Sequence, residues 1–198
     1  MLVILAFVFG PGLFENSEDG STGSARSGQG YTPDSPDSSD SSDSSEESSE
    51  ESQANALHGL LERNEGNRSG VGEAVRSMIT CPGRSGLQDA ESVFDDAATE
   101  RDELVQDLRA LELDLLPASM TEDLESGWQA SADADRAYAQ LAGEVMSGCT
   151  PKAVTASSHW QDASGASTRA TDAKKDFVSA WNPMAREHGL TTMTWDKV

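Results

Sequence analysis

Basic side chains, cysteines, aromatics and long apolar runs are all scarce in this chain, and each scarcity excludes something. Fourteen Lys and Arg face 35 Asp and Glu, giving a formal net charge of −21 at pH 7. Phosphate backbones are bound by Lys and Arg that displace condensed counterions, and the largest basic cluster here is Lys174–Lys175. Nucleic acid is therefore not an expected partner. Two cysteines, Cys81 and Cys149, give neither a Cys-x-x-Cys redox pair nor the clustered Cys and His of a metal site. His58, His159 and His188 lie far apart, with no His-Glu-x-x-His pair, no Gly-x-Ser-x-Gly elbow and no Gly-rich phosphate loop. No catalytic residue, cofactor or metal is expected, and an enzyme is not the reading. Aromatics make up 6% of the chain, and its four Trp residues fall at positions that read as helix packing.

What is present is a particular order of parts. Met1–Phe9 is uninterrupted apolar sequence, followed by Gly10-Pro11-Gly12-Leu13-Phe14. These 14 residues fall short of the roughly 20 that span a bilayer, although they suffice for the apolar core of a signal peptide. No basic flank precedes them, no Ala-x-Ala-like site follows, and no lipoprotein cysteine is present. Residues 1–14 are accordingly expected to be the clipped end of a transmembrane or signal-like segment whose native start lies upstream. A strand or helix tucked into a soluble core is the plainer alternative.

Residues 15–53 are expected to be a disordered acidic linker. Ser, Asp, Glu, Gly and Pro dominate it, and apolar surface is too scarce to offset ordering entropy. Between Asp34 and Glu47 an acid recurs every three residues among serines, a composition resembling the stalks of bacterial surface proteins. A flexible coil of this length spans on the order of 35 Å, and charge repulsion stretches it toward a limit of about 130 Å. Divalent-cation binding and serine phosphorylation are readings of the same tract, with a solvated spacer as the default. Its negative charge would also be repelled by anionic lipid headgroups.

Residues 54–198 carry four helical stripes, each stepping alternately by three and four. The first runs from Leu57 to Met78 and the second from Leu87 through Phe94, Arg101 and Leu111 to Leu115. The third runs from Leu124 through Tyr138 to Val145, and the fourth from Ala156 through Ala173, Phe177 and Ala180 to Met184. Ser85…Gln88 and Ser119…Glu122 have capping-box spacing, Pro82-Gly83 and Pro117 interrupt the runs before them, and Gly189 is placed as an αL stop. Helices of about 26 to 30 residues joined by short connections predict an all-α, up-down-up-down antiparallel four-helix bundle. In that topology Cys81 and Cys149 share a pole and can form a disulfide, as is usual for an exported chain.

Polar residues interrupt the stripes at matching heights. Asn64 and Asn67 on the first fall level with Arg101 on the second, then with Ser131 and Asp135 on the third and Ser167 on the fourth. Facing side chains in bundle cores are where ligand sites are built, so this layer is the candidate pocket. Arg101 would either grip a ligand carboxylate or pair with Asp135. The alternative is a polar layer that fixes helix register, with Arg101 snorkelling outward.

Near the C-terminus, Ala173-Lys174-Lys175 and the stretch Trp181-Asn182-Pro183-Met184-Ala185-Arg186-Glu187-His188-Gly189-Leu190 resemble the terminal signature of membrane-tethered or secreted helical proteins of actinobacteria, streptomycetes among them. That group has no assigned activity, so the resemblance implies fold and location and transfers no catalytic residue. Function is thus expected to be non-catalytic: a helical module outside the cytoplasm, tethered by its N-terminal segment or secreted, binding a protein or cell-wall partner. A small-ligand sensor or solute-binding bundle built on the Arg101 layer is the runner-up.

Overall fold

A computed structural model of the chain describes residues 49–65 and 69–198. The expected apolar segment 1–14, nearly all of the expected linker and Asn67 lie outside the described residues. Six helices follow one another: α1 (Glu50–Glu65), α2 (Ser69–Thr80), α3 (Arg84–Ala110), α4 (Ala118–Val145), α5 (Pro151–Ala156) and α6 (Ser158–Glu187). A short 3₁₀ turn, Trp195–Lys197, closes the chain. Among the described residues there is no strand, and no helix is long and apolar enough to cross a membrane.

The long helices pack antiparallel, as their side-chain pairs show. From α3 to α4, Arg109 meets Glu125 and Arg101 meets Asp135, each at 2.6 Å, while the Phe94 and Tyr138 rings meet at a tilt with centroids 5.3 Å apart. From α4 to α6, Gly127 lies against Ala170 and Lys174, and Tyr138 meets Trp160 edge-on. Helix α1 lies against both α3 and α6: Arg63 pairs with Asp107, and His58 stacks on Trp181.

The core gathers in two clusters along the bundle. At one pole, Leu57 and Leu61 of α1 meet Leu104 and Leu108 of α3, Met120, Leu124 and Trp128 of α4, and Phe177 and Trp181 of α6. At the other, Ala74 and Met78 of α2 meet Leu87, Ala90 and Phe94 of α3, several alanines with Tyr138 and Leu141 of α4, and Val154 of α5. That second pole is closed by a Cys81–Cys149 disulfide with its Cα atoms 5.6 Å apart, as the sequence predicts. Cys81 ends α2 at φ 54°, a left-handed position that non-glycine residues seldom take.

Several boundaries differ from the sequence reading, for identifiable reasons. The proposed linker boundary at residue 53 falls inside α1: Gln53 is 3% exposed, donates to Asp114 Oδ1 at 2.7 Å and accepts from the Leu115 N–H at 2.8 Å. Those bonds satisfy a side chain whose composition alone reads as spacer. The first stripe is described as two helices, α1 and α2, on either side of residues 66–68, which lie outside the described residues. The fourth is also two, because Ser157 takes extended backbone and caps α6 through the His159 N–H.

Neither expected capping box forms. Helix α3 starts from Gly83, at φ 89°, and α4 from Pro117, so Ser85 and Ser119 already lie within helix. Leu111 ends α3 in extended backbone and leaves Leu115 47% exposed in the turn, outside the stripe that was to bury it. The αL stop at Gly189 is present, with φ 68° and a Leu190 N–H bond back to the Ala185 carbonyl.

Candidate functional site

The expected polar layer forms in part, and it closes on itself. Arg101 and Asp135 make a buried ion pair, their side chains 12% and 4% exposed, and Arg101 Nη1 also donates to the Ala97 carbonyl at 3.0 Å. Both contacts are made by Nη1, so this nitrogen is taken up by the protein's own carboxylate and carbonyl. Ser131 is buried but donates to the Gly127 carbonyl one turn back, at 2.9 Å. Ser167, half-buried, bonds the Tyr138 hydroxyl. Burial between Phe94 and Trp160 pushes the Tyr138 phenol above its ordinary pKa; the Ser167 bond opposes that shift and the nearby Asp135 charge adds to it.

Asn64 does not join this layer. It is buried on α1, where its Nδ2 donates to the carbonyl of Lys197 at 3.3 Å. Counting along the first stripe placed it level with Arg101, whereas the structure sets it against the C-terminal segment. Asn67 lies outside the described residues. Two clefts of about 200 and 250 Å³ flank Leu111 at the tryptophan-rich pole, one lined by Arg63 and Asp107, the other by Arg109 and Glu125. Neither is lined by any residue of the expected layer.

The histidines are likewise dispersed. His58 stacks on Trp181, His188 approaches Glu50 at 3.5 Å, and His159 sits at the start of α6, at the other pole. No group of three potential metal ligands occurs among the described residues.

Lys174 is a buried residue that sequence reasoning passed over. It is 4% exposed, with its stem laid along Gly127 so closely that a Cβ there would come within 2.9 Å of its Cγ. The fourth stripe assigned the core to Ala173 and Ala180, whereas the structure buries Lys174 and Trp181, one residue on. A straight helix of 3.6 residues per turn drifts from a three-four count, and the larger Trp takes the core position. Trp181 would have been the better anchor for the stripe.

The richest polar constellation gathers the signature residues of the C-terminus. After α6 the chain turns back along its own helix and buries Met193 and Val198 in the tryptophan-rich core. Asn182 holds Met193 from both sides: its Nδ2 donates to the Met193 carbonyl at 2.9 Å and its Oδ1 accepts from the Met193 N–H at 2.7 Å. Trp181 Nε1 donates to the Thr191 carbonyl at 3.2 Å, and the Lys175 ammonium sits 5.4 Å from the Trp195 ring centroid. Thus Lys175, Trp181 and Asn182 together fasten the segment 190–198. No family model matches the chain, and no curated protein or solved structure shows significant similarity to it.

Proposed function

We propose that this chain is a non-catalytic helical module held outside the cytoplasm at the cell surface, where it binds a protein or cell-wall partner. The observation that carries the reading is the Cys81–Cys149 disulfide, in a chain whose sequence runs from an apolar start through an acidic spacer to that bundle. Disulfides persist where the surroundings are oxidising and are rare in the cytoplasm. The resemblance to membrane-tethered or secreted actinobacterial proteins supports the same location. In this reading α1 and α2 together act as the first member of an up-down-up-down bundle, with α3, α4 and α6 as the others. The bundle then begins at Glu50, whose helix meets the α3–α4 turn through Gln53.

The Arg101 layer gives less support to a ligand sensor, because its guanidinium already holds Asp135 and the Ala97 carbonyl. The test of location is protease treatment of intact protoplasts from the producing cells. The bundle should be released by cleavage within residues 15–49, and non-reducing mass mapping should recover the Cys81–Cys149 peptide pair. A bundle protected inside the cell with two free thiols would overturn the proposal.

A further inference from the structure

The segment 190–198 is seated in a groove between α1 and α6 that recognises it chiefly through its peptide backbone. Asn182 contributes a donor and an acceptor to one residue, Met193; Trp181 contributes a donor to the Thr191 carbonyl; Asn64, across the groove on α1, contributes a donor to the Lys197 carbonyl. Two apolar side chains, Met193 and Val198, are buried at 5% and 0% exposure, and Trp195 lies under Lys175. The groove therefore reads a segment that ends in a 3₁₀ turn, with an apolar residue, an aromatic two positions on and an aliphatic three beyond that. Side chains that bond the peptide groups of residues 191, 193 and 197 hold the main chain, and the buried Met193 and Val198 side chains add selectivity.

None of these contacts depends on which molecule supplies the segment. Its connection to α6 is short and hinged: Gly189 stands at φ 68° and, as glycine, takes extended backbone equally well. Two backbone bonds hold the hinge, from the Gly189 N–H to the Arg186 carbonyl and from the Leu190 N–H to the Ala185 carbonyl. A second copy of this chain carries the same nine residues and the same groove, so exchange would remake every contact reciprocally, as in a domain-swapped pair.

We infer that the α1–α6 groove is a self-association site, filled by residues 190–198 in cis at low concentration and by the same segment of a second copy as concentration rises. Cis seating dominates when dilute because a directly connected segment has an effective concentration on the order of millimolar. The inference is independent of cellular location.

Complementation of two full-length variants tests it. Met193→Asp spoils the segment and leaves the groove intact; Asn64→Ala with Asn182→Ala spoils the groove and leaves the segment intact. Each should be monomeric alone by light scattering, and an equimolar mixture should form a one-to-one heterodimer that an excess of synthetic peptide Leu190–Val198 dissolves. Two variants with native far-UV helicity that stay monomeric when mixed would overturn the inference. If either variant loses its helicity, the unaltered protein decides. A dimer fraction that grows toward about 1 mM and is suppressed by the peptide supports exchange, and a monomer throughout refutes it.

Discussion

The two poles of the bundle are held shut by different means. The pole at the Cys81–Cys149 bond is richer in small residues, among them Ala74, Ala90, Ala139, Ala142 and Ala163, with Met78, Leu87, Phe94, Tyr138 and Leu141 supplying its bulk. The opposite pole has Trp128, Phe177 and Trp181 at its centre and several leucines around them, and it is closed by its own chain, which returns to bury Met193 and Val198. Burial stabilises by roughly 25 cal/mol per Å² of apolar surface, so alanines supply little of it. The covalent link thus sits where non-covalent closure is weakest.

Breaking each pole separately tests that division. Trp181→Ala should have the largest effect, near the top of the ~3–5 kcal/mol range for a buried Trp, since it removes the stacks with Phe177 and His58 and the bond to Thr191. Thermal melts should report the loss, and hydrogen exchange should rise first in residues 190–198. Equal deprotection at Cys81 would argue that the poles are a single unit. Replacing both cysteines with alanine should cost about 4 kcal/mol in the chain-entropy model, with exchange rising most in α2 and α5. A loss spread evenly over both poles would contradict the division.

Between the poles, Arg101→Met should cost about 3 kcal/mol because it leaves the Asp135 carboxylate buried without its cation, while Arg101→Met with Asp135→Leu should recover most of that. A double variant as unstable as the single one would mean that the pair contributes more than mutual neutralisation.

The smallest effect concerns pH. The raised pKa of Tyr138 means the folded state keeps its proton longer than the unfolded chain does. Its stabilising contribution is complete below the unfolded tyrosine pKa of about 10 and is lost as pH rises through the folded value. Tyr138→Phe should flatten the alkaline fall in melting temperature, and a Tyr31→Phe protein should show delayed tyrosinate absorbance. A phenol titrating at the ordinary position would remove Tyr138 from the account.

The sequence made the periodic and chemically constrained parts legible. The stripe Leu124–Val145 became α4 with every stripe residue buried, and the two cysteines paired as the helix order required. What it obscured were features that depend on tertiary partners. Gln53 reads as spacer until Asp114 and the Leu115 N–H are beside it, and Asn182 reads as a surface amide until Met193 folds back onto it. Of the expected layer, Arg101 and Asp135 came together and Ser131 was buried beside them in sequence but bonded to its own helix. Asn64 instead bonds the C-terminal segment, a tertiary partner that a count of turns cannot reveal.

The side chain of Gln53 also sets how the molecule bears tension. A pull applied at Glu50 loads the first turn of α1, where Gln53 ties that turn to Asp114 and Leu115 at 2.7 and 2.8 Å. Once these bonds part, α1 must still surrender Leu57 and Leu61 from the tryptophan-rich core before it and then α2 can be drawn off, and then only as far as Cys81, which is linked through Cys149 to the segment after α4. The stretch from Glu50 to Cys81 pays out about 110 Å at most before the cross-link carries the load. The bundle is in this sense a spring with a fixed stop, extensible over its first two helices once their core contacts yield and inextensible at the sulfur bridge.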